Sequence, residues 1–334
     1  MISHYGIHSR GQIRALQDLL LKKNTVQSSK FDPLLSTESL GKNFSGYIFE
    51  KDSKKLLVLI DTDDGSGGTP SDCKIVWPKF GEAVLKYRPD DYIIFKQNVS
   101  LDPECNQFYP FKEDVYPIGV FSSSIDKVLR MREKFQGIEK DIDVFYAGGL
   151  STVHKPWVWP KNRDPKMHWS SAGARGYMKL KEIKDRRKDL NIQAFDGDIP
   201  QEKFFEMIMR SKICMDFPVI GKTGIKFHEF LLLGSCVLSL TQQLTPWPCE
   251  ENVHYFSLGD DYDFATMEEK IDFLLAHPEK RKEITSSVLS IRDDLYLESI
   301  LHKMQSIIDK KFNSMSGCNI SYWYDEVIPG LPPR

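Results

Sequence analysis

The stretch Met209–Leu240, MRSKICMDFPVIGKTGIKFHEFLLLGSCVLSL, decides the fold. Ile213, Cys214, Met215 and Phe217 make a short apolar run, bounded by Ser211-Lys212 before it and Pro218 after it. A loop rich in Gly and Lys runs from Pro218 to Gly224. From Ile225 to Leu233 the apolar residues Ile225, Phe227, Phe230, Leu231 and Leu233 fall close to helical spacing, and Gly234 stops the helix. A second apolar run, Cys236 to Leu240, follows at once. Strand, loop, helix and strand in this order form the βαβ unit of a parallel sheet.

The loop matters because it opens a helix. A helix N-terminus presents unsatisfied N–H groups and about half a positive charge, so anions settle there. Gly221 and Gly224 let the backbone approach a phosphate, and Lys222 and Lys226 add charge. Glu229 follows Lys226 by one helical turn on the same face, a position that suits the vicinal hydroxyls of a ribose. The same spacing also suits a surface loop with solvated lysines and a glutamate interacting with its own helix dipole.

Ser211-Lys212-Ile213-Cys214, Phe217-Pro218, the Gly-containing loop, Lys226 with Glu229, and Leu233-Gly234-Ser235-Cys236-Val237-Leu238 together resemble the donor-site motif of GT-B glycosyltransferases. The flavour is that of the exostosin-like and spore-maturation-type groups, which are similar to glycosyltransferase group 1. The resemblance covers Met209–Leu240 well and the rest of the chain loosely. It implies Glu229 on the nucleotide ribose and Lys226 near the diphosphate. The family more often has Arg at the latter position, and a lysine offers a point charge where an arginine offers a bidentate fork.

Length and composition set the outer bounds. With 334 residues, 41% hydrophobic and 28% charged, the chain is ordinary and globular, long enough for two domains. A net charge of -2 argues against nucleic acid or an acidic membrane as the main partner. The six cysteines (73, 105, 214, 236, 249 and 318) show no C-x-x-C pair and read as reduced thiols, without disulfides or zinc. No signal peptide or membrane-length apolar run is visible, so a soluble, cytoplasmic protein without a transmembrane segment is expected.

Along the chain, apolar runs at Gly46–Glu50, Lys55–Ile60, Tyr92–Phe95, Val115–Val120, Asp143–Ala147 and Asn191–Phe195 read as strands, with helical patterns between and after them. The helix after the long Trp- and Pro-rich segment 150–173 is expected to begin at Gly176, and Glu279–Ile308 reads as one helical stretch. Lys55–Ile60 ends in Asp61-Thr62-Asp63, where open α/β sheets bind ligands. Asp61 and Asp63 admit several readings: a metal-holding D-x-D, the nucleophile of a phosphotransferase, an acidic strand end without metal as in the exostosin-like groups, or an Asx-turn. Lys96 faces either a cleft or solvent.

The resemblance implies a GT-B architecture: α/β, two Rossmann-like domains with parallel sheets and an interdomain cleft. The boundaries expected are residues 1–125 for an acceptor-side domain, 126–312 for a nucleotide-sugar domain, and 313–334 for a tail packing back on the first. It implies Gly149 and Arg175 beside the donor phosphates, with Lys222, Lys226 and Glu229. The partners implied are a nucleotide-diphosphate-sugar, taken as co-substrate with no further cofactor and no metal, and a glycan or other hydroxyl acceptor. His8 and Asp63 are the candidates for a catalytic base. Two alternatives stand beside this: metal-dependent sugar or phosphoryl transfer at Asp61/Asp63, and a module that binds a nucleotide or glycan without turnover.

Overall fold

The computed structural model describes residues 35–36, 44–61, 89–96, 114–118, 125–148, 169–197, 199–217, 224–240, 245–259 and 264–315. In chain order these form β1 (Leu35–Ser36), β2 (Phe44–Lys51), β3 (Lys54–Asp61), β4 (Asp91–Lys96), β5 (Val115–Pro117), α1 (Ile125–Lys134), β6 (Ile142–Gly148), α2 (Trp169–Arg186), β7 (Ile192–Asp196) and α3 (Gln201–Met209). There follow β8 (Ser211–Asp216), α4 (Ile225–Leu232), β9 (Val237–Ser239), β10 (Phe256–Ser257), α5 (Met267–Ala276), α6 (Pro278–Ser290), a 3-10 turn (Arg292–Leu295) and α7 (Leu297–Ser314). The chain divides into two compact units: Met1–Val120 with Leu244–Pro246 and Leu297–Arg334, and Phe121–Gln243 with Trp247–Tyr296.

The first unit holds a sheet in the order β1-β2-β3-β4-β5. β3, β4 and β5 are parallel, while β2 returns antiparallel on β3. The turn between β2 and β3 is two residues long, with Asp52 at φ 51° and Ser53 at φ 64°, the left-handed pair that a tight hairpin requires. The sheet is therefore mixed, a parallel core with an antiparallel hairpin on one side. Leu56 to Ile60 are all buried, as expected of a strand covered on both faces, whereas β2 alternates buried Tyr47 and Phe49 with exposed Glu50.

α7 also belongs to this unit, although its residues were expected in the second domain up to residue 312. The expected helical stretch 279–308 is in fact broken by the 3-10 turn, and the chain changes unit between Tyr296 and Leu297. α7 buries Ile300, Met304, Ile308 and Phe312, one residue per turn along a single stripe. Its polar anchors are specific. The Lys311 ammonium lies 3.0 Å from Asp91 and 2.8 Å from Asp114, and Lys54 Nζ donates to the carbonyls of Phe312 (3.3 Å) and Met315 (2.9 Å). Lys54 thereby satisfies carbonyls at a helix C-terminus, where a cation also suits the dipole. Of the tail 313–334, residues from 316 onward lie outside the described residues.

The second unit holds a wholly parallel sheet in the order β10-β9-β8-β6-β7. The chain lays down β6, steps outward to β7, returns across β6 to β8, and continues the other way to β9 and β10. That order reverses direction between β6 and β8. α4 packs on β8 and β9 and against α6 and the 3-10 turn. Its C-terminus closes with the N–H groups of Gly234 and Ser235 donating to Leu231 (2.9 Å) and Phe230 (3.0 Å), so β9 can begin immediately. Among the described residues no helix is long and apolar enough to cross a membrane.

Candidate functional site

In an open parallel sheet the loops after two neighbouring strands diverge where the strand order reverses, leaving a crevice at their C-terminal ends. Here that point lies between β6, ending in Ala147-Gly148, and β8, ending in Asp216. The helix that follows β8, α4, carries Lys226 in its first turn and Glu229 one turn later. Its N-terminal boundary residue, Gly224, supplies no side-chain cap, and no acidic residue occupies the first turn. Among the described residues, the first turn of the helix thus supplies no anion of its own to the N–H groups that open it.

Lys226 reaches from α4 back to β6. Its Nζ donates to the Ala147 carbonyl at 2.8 Å and lies 5.2 Å from the centre of the Tyr146 ring. Gly148 makes this approach possible: a β-carbon there would meet the Tyr146 phenol and stand 2.9 Å from Lys226 Nζ. Burial pulls the Lys226 ammonium below its ordinary range, and the charges of Asp216 and then Glu229 pull it back. Glu229 is itself buried, 8% exposed.

Asp216 is the residue the apolar pattern concealed. It lies 2% exposed at the end of β8, and its Oδ2 has no hydrogen-bond partner among the described residues. Burial pushes its carboxyl up to about 6, opposed by the Lys226 charge and the Ser239 hydroxyl. Ser239 faces it across the β8–β9 register and donates to its backbone carbonyl at 3.0 Å. The available signal was a carboxylate inside the run ICMDFP, at the C-terminal end of a buried parallel strand.

Between Lys226 and Glu229, His228 serves the packing of α4. It is fully buried, its ring centre 5.1 Å from that of Trp247, and its Nε2 meets the Leu295 carbonyl at 2.9 Å. A carbonyl only accepts, so Nε2 carries the proton, and burial holds the imidazole neutral with its pKa lowered to about 4. This contact fixes the helix that bears the two site residues.

Arg175 was expected at a helix start, but α2 begins at Trp169 and places it in the second turn, half-buried. The segment up to Gly173 was expected to be irregular, with the helix beginning only at Gly176. Gly176 instead lets the helix press on the strand end, since a β-carbon there would come within 2.6 Å of the Phe217 ring. Phe217 in turn packs at a tilt 4.8 Å from Tyr146 and edge-on 5.2 Å from Phe264, an aromatic cluster at the β6 and β8 ends.

The remaining expected site residues, His8, Asp63, Gly149 and Lys222, lie outside the described residues. The backbone of Asp61 ends β3 opposite Lys96 in the parallel register, and Lys96 is buried, facing neither open solvent nor water-filled surface. Among the described residues no group of three His, Cys, Asp or Glu is placed to hold a metal ion. Cys214, Cys236 and Cys249 are free thiols, pushed up to about 12 by burial.

No family model matches the chain, and no curated protein matches it. Among solved structures it is similar to a glycosyltransferase from Rickettsia africae, at 12% identity and a TM-score of 0.40 over 76% of this chain and 71% of that one. It is similar to Anabaena HepE in complex with UDP, at 12% identity and a TM-score of 0.40 over 72% of this chain and 77% of that one. Sucrose-phosphate synthase from Thermosynechococcus elongatus aligns at 10% identity and a TM-score of 0.39, over 76% and 68% of the two chains. At likenesses of this size, the chemistry of the site rests on its own residues.

Proposed function

We propose that this chain is a glycosyltransferase that moves a sugar from a nucleotide-sugar donor to the hydroxyl of a glycan or other acceptor. One observation carries the reading: the first turn of α4 meets the C-terminal end of β6 at the reversal of strand order, with Lys226 on the Ala147 carbonyl and Glu229 a turn behind. A diphosphate at the opening of α4 is a better partner for the Lys226 ammonium than a neutral carbonyl, and Glu229 accepts from the ribose hydroxyls. Gly149, Arg175 and Lys222 complete the cradle in this reading. As the sugar leaves, negative charge grows on the diphosphate, and the helix N-terminus and Lys226 stabilise it without a metal. His8 and Asp63 are the candidates for the base that takes the acceptor proton.

The test is binding by the full chain of UDP, GDP, CMP and ADP and of their sugar conjugates, by thermal shift and calorimetry, each in Mg2+ and in EDTA. One nucleotide should stabilise the protein in EDTA. Glu229→Ala and Lys226→Ala should each lower its affinity by roughly 10- to 100-fold, the worth of one charged hydrogen bond. Stabilisation that requires Mg2+ and disappears in Asp61→Ala would replace this reading with metal-dependent transfer, and no shift with any nucleotide would refute it.

A further inference from the structure

A lysine in a desolvated position tends to lose its proton, and a neutral amine is of little use to a diphosphate. Lys226 is half-buried, its ammonium set on a neutral carbonyl with one aromatic face beside it. Its negative neighbours are Asp216 from β8 and Glu229 from its own helix. Tyr146 contributes from β6, an aromatic face with its phenol close by. The groups that act on Asp216 in turn are Lys226 from α4 and the Ser239 hydroxyl from β9.

Asp216 makes poor sense as a purely structural residue. Burying a carboxylate with one oxygen lacking a partner among the described residues is unfavourable, and a neutral residue of the same shape would serve the strand better. Two residues on from the paired Phe145 and Cys214, Ala147, which accepts from the Lys226 ammonium, and Asp216 end their neighbouring strands side by side, so the aspartate acts on the lysine through space, with no direct ion pair among the described residues. We infer that Asp216 is a positioning residue for Lys226: it keeps the ammonium charged at the C-terminal end of β6 while the site is empty, so that an incoming diphosphate meets a cation. Of the two carboxylates, Glu229 is committed to the ribose in the proposed function, on which this inference rests for its purpose. Asp216 is then the one whose charge stays available to the lysine. Above neutral pH its carboxyl is ionised, consistent with that role.

The inference is tested in two ways, the first independent of any ligand. The full chain is acetylated with trace acetic anhydride across pH 7–11, and each lysine's titration midpoint is read by peptide mass spectrometry. In Asp216→Asn the Lys226 midpoint should fall, while that of Lys311, paired with Asp91 and Asp114 in the first unit, stays in place. Asp216→Ser, smaller and equally neutral, makes the same prediction should the asparagine fold poorly. A Lys226 midpoint that is unchanged or raised in the neutral variants overturns the inference. The second arm uses the nucleotide-sugar selected by the binding screen, whose phosphates do not titrate in this range. Wild-type affinity should be level from pH 7 to 9, and that of Asp216→Asn should fall with rising pH, approaching about tenfold per unit. Adding Lys226→Arg, a cation that keeps its proton, should level the profile again. Equal profiles in wild type and variant overturn the inference, whereas a wild-type chain that binds no nucleotide refutes the proposed function and leaves the lysine midpoints to decide this one.

Discussion

Replacing Asp216 with Asn should change how the stability of the second unit depends on pH. The carboxyl moves from 3.8 to about 6 on folding, so the native state binds a proton more tightly than the unfolded chain. Below 3.8 both states are protonated and burial of the charge costs nothing. As pH rises from 3.8 through about 6 the folded protein must bury the ionised form, and stability is lost. At about 1.4 kcal/mol per pH unit, this amounts to roughly 3 kcal/mol once pH exceeds 6. The assay is urea unfolding of wild type and Asp216→Asn at pH 4, 5, 6, 7 and 8, fitted with separate transitions for the two units. The asparagine variant should gain on the wild type by roughly 3 kcal/mol between pH 4 and pH 7. The comparison must be between proteins, because His228 pulls the wild-type curve the other way over much of the same range. A difference that does not vary with pH would refute the assignment of a buried, ionised carboxylate to the end of β8.

For His228 the folded pKa is depressed, from 6.5 to about 4, so its contribution is present above 6.5 and is lost as pH falls toward 4. His228→Gln, which keeps a donor for Leu295, should flatten acid unfolding of the second unit over that window, as circular dichroism melts at pH 4.5 and 7.5 would record. Gly148→Ala places a methyl group against the Tyr146 phenol and Lys226, and should cost about 1–3 kcal/mol while weakening nucleotide binding. Equal melting temperature and affinity would show that the C-terminal end of β6 is not tightly packed. Lys311→Met leaves Asp91 and Asp114 without their shared cation and should destabilise the first unit by about 1–3 kcal/mol, read as an earlier first transition in urea.

The core of the site could be read from the residues because its signals are local. An apolar run, a Gly-rich break, a helical stripe and Gly234 suffice to define β8, α4 and β9, and Lys226 and Glu229 fall on one face by spacing alone. The features that escaped depend on neighbours distant in sequence. The stripe Ile300, Met304, Ile308, Phe312 shows that α7 is buried but not in which unit, a choice made by Asp91, Asp114 and Lys54 far upstream. Gly176 reads as the start of a helix, and its place inside one is explained only once Phe217 is seen against it. The Asp52-Ser53 turn lacks the glycine that usually marks a tight hairpin, so the antiparallel return of β2 left a weak trace. Asp216 sat in plain view, but its burial and its unmatched oxygen emerge only once β6, β9 and α4 close around it.

The place of α7 in the first unit has a consequence for how the chain is born. Lys54 and its partner at Met315 are 261 positions apart, and the whole of the second unit is translated between them. At roughly 5–20 residues per second, that interval lasts on the order of 10–50 s. During it the segment Leu56–Ile60, entirely apolar and entirely buried at the end, exists without the helix that completes its unit. The second unit runs from Phe121 to Tyr296, broken only by Leu244–Pro246, and can close on leaving the ribosome, while the first waits for the final helix. The first unit is therefore the part of this chain that should depend on chaperones.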